Sequence, residues 1–161
     1  MSWDLYAQNF PPVDSADDIP EDFEPTPLGP RAMVIAKIQA VTPDADFSDP
    51  RWGLLERDGW SIEFNLGEEE ECGDFALHVR GGGPGAMEAV EAVLCAIGVG
   101  AIDAQTGEFF TPEAARESFA AWQAYRDKAV WHQKTPAVPE EQPSIEAQPP
   151  RRGFFARLFS R

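Results

Sequence analysis

Residues that carry catalytic and redox chemistry are scarce in this chain of 161: two cysteines, two histidines and two tyrosines. Cys72 and Cys95 are too few for a disulfide framework and lack the spacing of a zinc site, so both are expected as reduced thiols. Missing as well is any apolar run approaching the ~20 residues that cross a bilayer. The opening MSWDLYAQNF has neither the basic nor the apolar stretch of a secretory signal, and a cytoplasmic protein is expected. Basic residues are few: 13 Lys and Arg stand against 28 Asp and Glu, for a net charge of −15. Five of those 13 and three of those 28 fall after Gln133, which leaves 8 against 25, or −17, for residues 1–133. Nucleic acid is disfavoured as a partner, because binding it depends on Lys and Arg displacing counterions from phosphate. A body this acidic could attract a basic protein and speed the encounter, the bland alternative being a charge kept for solubility.

What is present is patterned. Residues 2–8 alternate as a strand, with Trp3, Leu5 and Ala7 on one face and Asp4, Tyr6 and Gln8 on the other. The stretch FPPVDSADDIPEDFEPTPLG, with five prolines and six carboxylates, reads as a loop without regular structure. Gly29-Pro30 opens a helix whose buried stripe is Val34, Ile38 and Val41. After a loop TPDADFSDPRWG, a hairpin is predicted from Leu54–Arg57, a turn at Asp58-Gly59 with φ > 0 at both positions, and Trp60–Leu66. The strand DFALHVR follows, then GGGPG and a helix that buries Met87, Val90, Leu94 and Ile97 and ends at Gly98. A short strand at 99–103 precedes Thr111-Pro112-Glu113, which caps and opens a third helix along Ala115, Phe119, Trp122 and Ala129. The expected fold is α+β, an antiparallel-rich sheet with helices packed on one face, in the order β-α-β-β-β-α-β-α. One globular domain at 1–133 is expected, followed by a disordered Pro/Glu linker at 134–150 and a basic tail at 151–161.

Two places could carry function. The polar side of the sheet gathers Asp4, Tyr6, Glu63, Asn65, His78 and Arg80, if the strands neighbour one another. A histidine, a carboxylate and an arginine within hydrogen-bond reach are capable of acid–base work. The bland alternative is a solvated face laced with cross-strand ion pairs. The second place is the tail, RRGFFARLFSR, with four arginines and no acid. Taken as a helix it puts Phe154, Leu158, Phe155 and Phe159 on one half and Arg157, Arg161, Ala156 and Ser160 on the other. Such a segment suits weak, peripheral contact with an anionic membrane at its inner surface, a partner's groove, or the protein's own acidic body, where opposite charges favour self-docking at low salt. RGGGPGAMEAV lacks the Lys-Ser/Thr of a phosphate loop and reads as a strand-to-helix connector. The acids at 44, 46 and 49 and at 68–71 lack the glycine and distal glutamate of a calcium loop, so neither metal nor cofactor is expected.

The phrases MSWDLYAQNFPP, IPEDFEPTPLGPR, DFSDPRWG and FALHVRGG, which span roughly residues 1–130, resemble those of a group of small, uncharacterised bacterial proteins. The resemblance implies no activity, catalytic residue or cofactor. Small acidic proteins of this general kind are often immunity partners of bacterial toxins, an analogy of type. The expectation is a non-enzymatic, acidic adaptor that engages a basic protein. The alternatives are a small enzyme around Glu63, His78 and Arg80, and a membrane-surface accessory protein tethered by its tail.

Overall fold

The structure, a computed structural model, describes residues 1–134, apart from the side chains of Pro84 and of residues 130–134. Lys134, expected as the first residue of the linker, is instead the last residue of a helix that continues the apolar-patterned segment before it, and residues 135–161, the rest of the linker and the tail, lie outside the described residues. Eight strands and three α-helices follow one another: β1 (Trp3–Gln8), β2 (Gly29–Pro30), α1 (Arg31–Val41), β3 (Asp46–Asp49), β4 (Trp52–Arg57), β5 (Trp60–Asn65), β6 (Glu71–Cys72), β7 (Asp74–Gly81), α2 (Pro84–Ile97), β8 (Gly100–Asp103) and α3 (Pro112–Lys134). Six strands make one sheet in the order β3-β4-β5-β7-β1-β8, every neighbouring pair antiparallel. β2 and β6 form a separate two-strand ladder. The fold is α+β, as the alternation of the strands and the helical stripes predict.

Period-two alternation decides which way each strand faces. Trp3, Leu5, Ala7, Ile62, Phe64, Phe75, Leu77 and Val79 point inward and meet Val34 and Ile38 of α1, Val90 and Val93 of α2, and Phe119 and Trp122 of α3 in one apolar cluster. Burying each large apolar side chain stabilises the fold by ~1.5–3 kcal/mol. Phe119 bridges the layers, 5.1 Å from the Trp3 ring and 5.5 Å from that of Trp122. Thr111 caps α3 as predicted, its Oγ1 accepting from the Ala114 N–H.

The structure departs from the expected elements at five points. A sixth strand of the long sheet, β3, beyond the five expected, occupies part of the predicted 42–53 loop, and β4 begins at Trp52 rather than Leu54. The hairpin turn is tight, with Arg57 paired to Trp60, yet only Gly59 has positive φ, at 83°; Asp58 stays in the ordinary region, so it is not a turn with φ > 0 twice. Val41 is exposed, because α1 ends there and Thr42 closes its last turn by bonding back to the Ile38 carbonyl. The proline-rich loop contains one short 3-10 turn at Ala16–Asp18, capped by the Ser15 hydroxyl. The predicted order also omitted the short β2–β6 ladder, which lacks enough residues to show alternation.

Candidate functional site

The six residues singled out on the polar side of the sheet do share one face. Register sets them in rows. Leu54, Glu63, His78 and Asp4 lie opposite one another on β4, β5, β7 and β1. Beside that row run Trp52, Asn65, Ala76, Tyr6 and Ile102, the last on β8. Glu56, Ser61 and Arg80 make a third. The face is open: the helices pack on the other side, and Tyr6 and Trp52 are 54% and 41% exposed.

Its polar groups engage one another. His78 Nδ1 is 2.8 Å from Asp4 Oδ1, and the imidazole stacks on the Trp52 ring at 5.8 Å and 18°. Arg80 donates twice to the Glu63 carboxylate, at 2.8 and 3.1 Å. Those hydrogen bonds hold the guanidinium pKa above its ordinary value. Asn65 is turned toward the strand end, its Oδ1 accepting from the Gly67 N–H. Four carboxylates, Asp4, Glu56, Glu63 and Asp74, face one guanidinium, so the face is acidic on balance.

Sequence reasoning missed Trp52, Leu54 and Ile102 as members of this face. The signal for the first two was available. The two-residue turn pairs Arg57 with Trp60, and counting back from it along both strands puts Leu54 beside Glu63 and Trp52 beside Asn65.

A second polar group, absent from the sequence reading, lies under α3. Asp103 on β8 is buried, its Oδ2 accepting from Trp3 Nε1 at 2.9 Å and from the Ser118 hydroxyl, and its Oδ1 from the Gln105 N–H at 2.7 Å. It lines a cleft of about 280 Å³ between the 106–110 turn and the first turns of α3.

The remaining candidates resolve locally. Asp44 pairs with Arg57, Asp46 bonds to Ser48 and Asp49 to Arg51. The carbonyls of Gly67 and Glu69 accept from Arg31. The glycines of the β7–α2 connector make room for the hairpin: a Cβ on Gly81 would stand 2.2 Å from the Gly59 carbonyl oxygen, and one on Gly83 would stand 2.6 Å from the Trp60 ring. Cys72 is buried and its thiol pKa is pushed up by desolvation and by Asp74, whereas Cys95 is exposed. Phe154, Phe155, Arg157, Leu158 and Phe159 lie outside the described residues. Comparison with protein-family models, with curated proteins and with solved structures finds no match to the chain.

Proposed function

We propose that this protein is a non-enzymatic binding or adaptor module that engages a basic protein across the open face of its sheet. The observation that carries the reading is the row Trp52–Asn65–Ala76–Tyr6–Ile102, in which two exposed aromatic rings stand among carboxylates. Large aromatic side chains supply much of the energy of protein interfaces, and a carboxylate surround steers a basic partner and sets its register. Neutralisation of a cationic toxin is one specific form of this reading. A small enzyme built on Glu63, His78 and Arg80 needs a concave pocket around them. Those three occupy an open face, and the Arg80–Glu63 and His78–Asp4 pairs give them structural partners, which favours binding over catalysis.

A cytoplasmic setting belongs to the same proposal. No helix among the described residues is long and apolar enough to cross a membrane. Peripheral membrane contact through 151–161 is the second reading, resting on the separation of Phe154, Phe155, Leu158 and Phe159 from Arg157 and Arg161 at helical spacing.

Photo-crosslinking in the native cell tests the first reading. A photoreactive amino acid at position 6 or 52 should capture the same basic protein, while one at Val41, exposed on α1, should not. Partner capture that is equal at all three positions, or captured species that are acidic, would refute a specific open-face site.

A further inference from the structure

Four neighbouring hollows of the surface gather around two rings, Phe109 and Phe110. The 280 Å³ cleft beside Asp103 contains both. Three more hollows, of about 300–340 Å³, open on the other sides of the same pair, toward Phe10, toward Ser15 and toward Leu94. Their titratable lining is of one sign. Asp14, Glu91, Asp103, Glu108 and Glu117 border them, together with the Cys95 thiol, and no Lys, Arg or His does. The region is thus apolar within and anionic at its rim, a combination that fits aromatic side chains flanked by guanidinium groups.

We propose that this indentation is the docking site of the chain's own residues 151–161, RRGFFARLFSR. The segment supplies three phenylalanines and a leucine for the hollows and four arginines, with no acid, for the rim. Guanidinium–carboxylate pairs form paired, directional hydrogen bonds, which adds register to the attraction. The connection is long enough. From Ala121, which lines the first cleft, α3 runs on to Lys134, about 20 Å at 1.5 Å per residue. Residues 135–150 reach roughly 50 Å when extended, more than twice that return path. Covalent attachment gives the tail a local concentration on the order of millimolar, so weak contacts suffice and a second copy is a poor competitor. The indentation is lined by neither Trp52 nor Tyr6, so docking there leaves both exposed rings of the sheet face free.

Hydrogen–deuterium exchange on the full-length chain tests this. The comparison is between the natural tail and one carrying R151E, R152E, R157E and R161E. Amides at 99–118 should exchange roughly fivefold faster with the reversed tail, the factor that about 1 kcal/mol of docking supplies. Raising salt from roughly 0.05 to 0.5 M should accelerate the natural protein in the same region. Glu117→Arg, at an exposed helix position, should reproduce the loss from the groove side. Equal exchange with both tails overturns the proposal. So does protection at β1 and β5 instead, which would put the tail on the sheet face, or protection that grows with protein concentration, which would assign it to a second copy. Binding of the full chain to vesicles of anionic and neutral phospholipid, with exchange at 99–118 unchanged, would assign the tail to lipid and overturn it likewise.

Discussion

Asp103 shows how much one side chain organises. It draws donors from β1, from α3 and from the turn after β8, and so ties the sheet edge to the helix that covers it. Asp103→Ala leaves the buried Trp3 N–H without an acceptor, and the expected loss is ~1–3 kcal/mol, read from the midpoint of denaturant unfolding. Its inward orientation was concealed because acids in this sequence are nearly all surface groups. Only its parity with Ala101 and its place opposite Leu5 mark it as facing the core. Trp122 was legible, since Ala115, Phe119 and Trp122 recur at helical spacing, and all three are buried. Trp122→Ala should cost ~3–5 kcal/mol, whereas His78→Ala, removing a partly buried pair on the open face, should cost under about 1. Trp122→Phe should be far milder than Trp122→Ala, because the indole N–H has no hydrogen-bond partner among the described residues. Equal losses for Trp122→Ala and His78→Ala would show that the two faces of the sheet are misassigned.

Among elements, those with a regular apolar period were readable and those held by other means were not. β1, β5 and β7 alternate cleanly, and α2 buries Met87, Val90, Leu94 and Ile97 as its spacing demands. The segment that forms β3 offers a single apolar residue, Phe47. What makes it a strand is tertiary: the Phe47 ring lies over Gly53 of the neighbouring strand, where a Cβ would come within 2.3 Å of it, and stacks on Phe64 at 5.8 Å. A tight turn closes this hairpin, with Asp49 accepting from the Arg51 backbone and guanidinium. Those bonds lower the Asp49 carboxyl from its ordinary 3.8 to about 2. A group depressed in this way contributes stability above its unfolded value and loses it as pH falls through its folded one. The β3–β4 turn should therefore hold at pH 5 and loosen between roughly pH 4 and 2, visible in the amide shifts of Arg51 and Trp52. Asp49→Asn should lack that transition; its persistence would point to another carboxylate. The candidate face was legible to the same degree as its strands. Its six sequence-derived members came from alternation, and the register of the hairpin was needed to add Trp52 and Leu54.

For the molecule as a whole, charge and connectivity matter more than any one contact. Among the described residues, the sheet, its three helices and the apolar cluster between them end with α3. Truncation after Gln133 should keep cooperative thermal unfolding with Tm within a few degrees, since ~1 kcal/mol moves a domain of this size by roughly 2–8 °C. Loss of the cooperative transition would mean that the segment beyond is part of the fold rather than an attachment to it.

The two borders of the six-strand sheet carry a consequence for how copies of the protein behave together. A broad sheet with one bare side invites growth by strand addition, each molecule extending the ladder of the last. Here β3 is four residues long, ends on Asp46 and Asp49, and slips register against β4 between them. At the other border, Phe109 bridges to Ile102 and the Phe110 N–H donates to the Ala101 carbonyl, so the rim of β8 is already occupied by its own chain. Both ends of the ladder resist templating. The bare side can therefore stay uncovered in a crowded solution without seeding fibrils, which leaves aromatic residues there to be met by something other than a copy of the same sheet.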